Sequence, residues 1–227
     1  VRIIADKTKD PSLIKVYEDV DGDLHQSTLD GCGLKKRVDA KTTNFSAFYD
    51  TSAKTLATKL TVNSGEYWSE ARAQKLLDRY WKLYSSVPKY KKNLLKRARA
   101  NNCEIISYLG RKRRLPLLKA HNRWEREHAE RQAFNFQIQG GVADIMAIVM
   151  IRFEFDQWMR DNGVLMVGQV HDELHFWVPL TIDYAEFKRR SKEIFENPFT
   201  KPLRVPVILS FGEGCEDAPC ETWHDGK

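Results

Sequence analysis

Cysteine is scarce and unpatterned in this 227-residue chain. Cys32, Cys103, Cys215 and Cys220 show no Cys-x-x-Cys spacing, which argues against a zinc ribbon or a disulfide framework. They read as ordinary reduced thiols of an intracellular protein. Cys215 and Cys220 alone are close enough in sequence for a surface disulfide or a metal pair. Long apolar runs are missing too: no uninterrupted stretch approaches the roughly 18 residues that a bilayer span needs, so no membrane partner is expected. The start, "VRIIADKTKD", has neither the basic flank nor the apolar core of a signal peptide and lacks an initiator methionine, features expected of a fragment. Internal repeats and low-complexity linkers are also absent.

What is present is a globular composition, 42% apolar and 30% charged, in a chain long enough to bury a substantial core. The net charge of +6 is concentrated: between Lys89 and Arg131 fourteen Lys or Arg stand against four Glu, and the remainder is net acidic. A polyanion would be drawn to that region. "KYKKNLLKRARA" alone reads equally well as a solvated helix face. "GRKRRLP", with Arg111, Arg113 and Arg114, is a Gly-led basic turn between apolar strands, which no helix face explains.

Punctuation and periodicity predict mostly helix. Asp10 caps and Pro11 opens a short helix ending at the turn "DVDGD". Helical spacing runs from Lys35 to about Leu60, an amphipathic helix follows "TVNSGE" and stops near Pro88, and another reaches Ala100. "EIISYLGRKRRLPLL" reads as a hairpin, and Trp124 to about Asp161 as helix interrupted at Gly140 and Gly141. "VLMVGQV" and "ELHFWV" alternate as strands, "DYAEFKRRSKEIFE" is a helix and "LRVPVILSF" a closing strand. Helices first and a small antiparallel sheet later make the fold class α+β.

Three constellations carry chemistry. In "VLMVGQVHDELHFWV" the chain reverses at "HD", lifting His171 and Asp172 to the rim of a hairpin, a rigid platform for a metal ligand. Adjacent Glu173 points to the other face, so a second carboxylate must come from elsewhere. Polar turn chemistry is the plainer alternative. A His-Asp metallophosphohydrolase is disfavoured, because His25, His121, His128, His175 and His224 show no pairing at i, i+4. In "RVDAKTTNFSAFYD", Arg37, Lys41, Phe45 and Tyr49 recur every four residues on one side of a helix, about 18 Å from first to last. Cations leading a helix oppose its macrodipole, and a bound triphosphate would explain them. Otherwise the two rings belong to the core and the cations to water. In "ERQAFNFQIQGG", Arg131, Asn135 and Gln139 form a further stripe, suited to base edges and sugars in a minor groove or simply to solvent.

Taken in order, these segments resemble the family A DNA polymerases, bacterial DNA polymerase I and its phage relatives. Arg37, Lys41, Phe45 and Tyr49 match that family's motif B, and "QVHDE" at Gln169 to Glu173 its motif C. "GRKRRLP", "ERQAFNFQIQGGVADI" and "VPVILSFGEG" are similar to its Gly-Arg turn, primer-template helix and closing strand, so the resemblance covers the whole chain. It implies a right-hand polymerase fold, with residues 1–24 a palm helix following motif A, 25–130 the fingers, and 131–227 palm with the motif C hairpin and C-terminal strand. The function implied is that of a DNA-directed DNA polymerase, a nucleotidyltransferase of DNA replication, moving deoxynucleoside monophosphate from dNTP to a primer 3′ end. Arg37, Lys41 and His25 would hold the triphosphate, Phe45 would sit by the sugar and disfavour dideoxy nucleotides, and Tyr49 would stack near the template base. Arg131, Asn135 and Gln139, with Arg111, Arg113 and Arg114, would contact primer-template DNA. Asp172 would bind two magnesium ions, with His171 and Glu173 close by and Lys41 counted among the catalytic groups.

The motif A aspartate is expected just before Val1, together with the thumb, front palm and any exonuclease, so the chain by itself is expected to be inactive. Cytoplasm of a bacterial or phage-infected cell is the expected location. Asp50 and Ser46 replace glycines common in the family, and "TVNSGEYWSE" reads as an insert, both expected of a divergent, phage-type member. The rival reading is a non-catalytic nucleic-acid-binding module or relic.

Overall fold

The computed structural model describes residues 1–18, 22–199, 203 and 207–212. Contacts divide the chain into two compact units, Val1–Gly141 and Val142–Lys227. The first is built from seven helices and a small hairpin: α1 (Arg2–Thr8), α2 (Pro11–Glu18), α3 (Leu24–Cys32), α4 (Arg37–Phe48), α5 (Ala53–Ser64), α6 (Glu70–Leu83), α7 (Ser86–Ala100), then β1 (Glu104–Ile106) and β2 (Lys112–Arg114), a 3-10 turn at Pro116–Lys119, and the first part of α8 (Arg123–Phe155). Asp10 Oδ1 accepts from the Ser12 and Leu13 backbone at 3.1 and 3.2 Å, capping α2 where Pro11 predicts its start. The basic segment pairs as expected: β1 and β2 are antiparallel, with Ile105 opposite Arg113 and Gly110 at φ 79 supplying the left-handed turn.

The core of the first unit contains a polar knot. Asn44 on α4 accepts through Oδ1 from Thr28 Oγ1 of α3 at 2.9 Å and from the Tyr80 hydroxyl of α6 at 3.0 Å. Thr28 Oγ1 also meets the Tyr84 hydroxyl at 2.9 Å. All four side chains are buried, and burial raises both tyrosine pKa values. Hydroxyls removed from water require these partners, so the knot fixes how α3, α4 and α6 register against one another. Leu56 and Leu60 of α5 and Leu76 of α6 are buried in the same unit.

The second unit comprises the end of α8, α9 (Gln157–Asp161), the antiparallel ribbon β3 (Leu165–Val170) and β4 (Glu173–Trp177), and α10 (Tyr184–Glu196). Asp183 caps α10 by accepting from the Glu186 backbone at 3.1 Å. Aromatic packing holds this unit: the Phe153 ring centroid lies 4.5 Å from Phe176 of β4 and 5.4 Å from Phe195 of α10.

Four boundaries differ from the sequence expectation. The helical stretch from Lys35 to Leu60 is two helices, broken where Asp50 turns left-handed at φ 55 and Ser52 caps α5. The amphipathic helix ends at Leu83, and Pro88 lies in the first turn of α7, where its missing N–H has no intrahelical acceptor to lose. α8 runs unbroken through Gly140 and Gly141 for 33 residues and stops before Asp156, the cap of α9. Glycine serves close packing there: a Cβ at Gly141 would stand 3.2 Å from Ile3 and 3.3 Å from Tyr108. The closing strand is not formed at Leu203 or at 207–212, and the rest of "LRVPVILSF", part of "DVDGD", Cys215, Cys220 and His224 lie outside the described residues. Among the described residues α8 alone is long and apolar enough to cross a membrane by length and composition, and half of its most apolar window is buried within the protein.

The polar knot predicts a large cost for an apolar isostere. Asn44→Leu should destabilise the chain by about 2–3 kcal/mol in urea unfolding, because buried hydroxyls lose their acceptor. A change within a few tenths would contradict it.

Candidate functional site

α4 presents the four-residue repeat to solvent and little else. Ala40, Thr43, Asn44, Ala47 and Phe48 are buried, whereas Arg37 and Lys41 are exposed and Phe45 and Tyr49 are 55% and 49% exposed. Rings assigned to a core would not be left in water, so the core reading of Phe45 and Tyr49 is excluded. The helix starts without a side-chain cap from Lys36, and its two leading cations carry positive charge where the macrodipole is already positive. That excess is suited to an anion.

Each end of this line is held from beneath. Arg37 forms a two-pronged contact with Asp23 Oδ2, Nη2 at 2.5 Å and Nε at 3.2 Å. Asp23 also caps α3 by accepting from the His25 backbone at 2.7 Å, and hydrogen bonding to Arg37 holds its carboxyl below the ordinary range. Lys41 has no ion-pair partner among the described residues. His25 lies beside the line, its ring 6.2 Å from that of Phe45.

The knot sets the chemistry of His25. Because Asn44 Oδ1 accepts from two hydroxyls, Nδ2 is its donor, and it meets His25 Nδ1 at 2.9 Å. Nδ1 is therefore the acceptor, and the neutral imidazole carries its proton on Nε2. Partial burial lowers the His25 pKa, Arg37 and Lys41 lower it further, and Asp23 opposes them. A neutral N–H donor beside two cations can bond a phosphate oxygen without adding a third charge.

At the far end Tyr49 accepts from Gln139 Nε2 of α8 at 2.8 Å, joining the first and third sequence stripes. Asp50 receives Lys91 Nζ at 2.6 Å, which offsets the strain of its left-handed backbone. Asn135 Oδ1 is buried without a protein partner among the described residues, whereas no ion pair engages Arg131 there. In the basic hairpin Arg111 donates to the Gly140 carbonyl at 3.0 Å, Arg114 to Glu104 at 2.9 Å, and Arg113 lies over the Phe136 ring. Arg111 and Arg114 are thus partly committed to the protein.

In the second unit, Val170 and Glu173 close the β3–β4 ribbon and leave His171 and Asp172 at its tip. His171 is left-handed at φ 55, a conformation costly for a side chain of this size. A bulge between Met166 and Gly168 shifts the register just before the tip. The Asp172 carboxylate is exposed and engages no partner among the described residues. Glu173 Oε1 instead pairs with His175 Nε2 at 3.0 Å, two residues along the same face of β4. Asp172 suits a hard cation by its chemistry, yet no cluster of three or more potential ligands exists among the described residues. A two-ion centre needs further carboxylates.

The family model for DNA polymerase family A matches residues 1–218. The chain belongs to DNA polymerase family A. It is 32% identical over 236 residues to the thermostable DNA polymerase I of Thermus thermophilus, covering all of this chain and 26% of that protein. DNA polymerase I of Deinococcus radiodurans is also 32% identical, with 23% of its length covered. A solved structure, the POL domain of Pol1 from M. smegmatis in complex with DNA primer-template and dNTP, matches with a TM-score of 0.80 and 30% identity over 92% of this chain and 36% of that one. The chain therefore spans about a quarter of the curated family A relatives it matches. The α+β class and the family resemblance read from the sequence agree with these matches.

Sequence reasoning missed Asp23 and the knot around Asn44. Asn44 stood in view within "NF", but its partners are 16 and 36 residues away, and spacing along one helix does not reveal them.

The His25 geometry is open to titration. By NMR the imidazole should titrate below its ordinary 6.5, and Asp23→Asn should lower it further by removing the opposing carboxylate. Because the unfolded chain then binds more protons, His25 makes the fold lose stability as pH falls below about 6.5 towards the folded value. A value at or above 6.5 would refute the burial account.

Proposed function

We propose that this chain supplies the nucleotide-gripping fingers helix and one metal-binding carboxylate of a template-directed DNA polymerase, which adds deoxynucleoside monophosphate from dNTP to a primer 3′ end. The observation that carries this reading is the exposed line Arg37, Lys41, Phe45 and Tyr49, backed by a buried network that orients His25. Arg37 and Lys41 neutralise the triphosphate, and His25 donates from Nε2 to one of its oxygens. Phe45 packs against the sugar, with Tyr49, positioned by Gln139, beside the template base. Arg131, Asn135, Gln139 and the basic hairpin with Arg111, Arg113 and Arg114 follow the primer-template backbone and minor groove. Residues 1–24 and 131–227 would be palm and 25–130 fingers. The similar POL domain from M. smegmatis is in complex with primer-template and dNTP, which supports this choice of ligands.

Asp172 is the residue that would hold magnesium, with His171 and Glu173 beside it. When bound, such ions neutralise the developing charge and stabilise attacking and leaving oxygens. Phosphoryl transfer otherwise asks the protein for positioning, which the α4 line provides. Asp172 alone supplies too few ligands for two ions, so the motif A aspartate, with the thumb and front palm, is required for activity. A bacterial or phage-infected cytoplasm, where dNTP and replicating DNA meet, is the compartment this function needs.

Two outcomes test the assignment. In the enzyme reconstituted with its motif A portion, Asp172→Ala should lower primer extension by roughly a hundredfold or more while DNA affinity stays within about twofold; extension that survives, or that the isolated chain performs, would refute it. Lys41→Ala should reduce dNTP use by roughly tenfold to a hundredfold and leave DNA binding nearly intact. Equal loss of both would remove the triphosphate role and favour a simple nucleic-acid-binding module.

A further inference from the structure

Trp124, in the first turn of α8, has 72% of its surface exposed, and its backbone N–H donates to Asn122 Oδ1 at 2.9 Å. Its indole lies nearly parallel to the His128 imidazole, 12° between planes and 6.2 Å between centroids. Gln132 Nε2 meets His128 Nε2 at 2.9 Å and steadies that ring. One more step of four residues reaches Phe136. Its ring lies over Gly140, where a Cβ would stand 2.9 Å away, and the Arg113 guanidinium sits 5.7 Å from its centroid. Trp124, His128, Gln132 and Phe136 therefore form one row along α8, about 18 Å long. The row runs three residues behind Arg131, Asn135 and Gln139, so the two are neighbours on the helix surface.

None of this row is used by the nucleotide site. A contiguous row of exposed and half-exposed rings, unlike a single scattered one, is suited to an interaction surface, and its surroundings choose the partner. The segment holds the chain's excess of cations, and Arg113 and Arg131 engage no ion pair among the described residues. Flat rings at intervals beside unneutralised cations suit unpaired bases on a phosphate backbone. A duplex keeps its base faces covered. We propose that the Trp124–Phe136 row is a stacking track for single-stranded nucleic acid, namely the unpaired template strand. This rests on the DNA polymerase reading above.

The test uses the full chain and fluorescence anisotropy with three DNAs: a blunt duplex, the same duplex with an oligothymidine 5′ overhang, and that duplex with an abasic overhang of equal length. Wild type should prefer the thymidine overhang to the abasic one by about tenfold. Trp124→Ala should abolish that preference and leave blunt-duplex affinity unchanged, while Trp124→Phe keeps part of it. Equal affinity for the two overhangs in wild type, or a preference that persists in Trp124→Ala, would overturn the proposal. Preference intact but association with the motif A polypeptide lost in Trp124→Ala would also overturn it and assign the row to a protein contact. Failure to bind any of the DNAs would remove the DNA reading itself and the track with it.

Discussion

One amide orders the face of the first unit built from α3, α4 and α6. Asn44 is satisfied on its oxygen by Thr28 and Tyr80, which leaves its nitrogen to face His25. Three helices are thereby registered from inside, and the tautomer of an exposed-edge histidine is decided by groups that never reach solvent. A hydroxyl–amide knot of this kind stabilises little on balance but is costly to break, because a buried group that loses a partner cannot replace it from solvent. Stability and chemistry share the same bonds here.

Once α4 is gripped from within, the residues it turns outward need no packing role. Arg37 and Lys41 add positive charge at a helix start, and Phe45 and Tyr49 leave apolar rings in water. Each choice works against local stability, and a bound ligand with a charged end and a flat end would offset both. The ribbon tip follows the same pattern in the second unit, where His171 adopts a left-handed backbone and Asp172 stands free of any partner among the described residues. Strain and unneutralised charge gather where chemistry is expected.

Much of this was legible from spacing. The four-residue repeat of α4, the Asp10–Pro11 helix start, the basic hairpin and the reversal at His171–Asp172 are local patterns, and local backbone physics suffices to read them. What escaped depends on distant partners. Gly140 and Gly141 looked like a helix break because their cost is visible in sequence, whereas the close approach of Ile3, Tyr108 and Phe136 that favours them is not. The break at Asp50 was hidden for the converse reason: a residue other than glycine occupies a left-handed position, and Lys91, 41 residues away, holds it there.

The role proposed for the outward line of α4, with His25 beside it, is to grip a triphosphate. NMR titration of the isotopically labelled chain with dNTP reads this directly, residue by residue. The account predicts shift changes concentrated at His25, Arg37, Lys41 and Phe45, with deoxynucleoside alone leaving the Arg37 and Lys41 signals in place. Changes centred elsewhere, or an identical response to nucleoside and triphosphate, would contradict it.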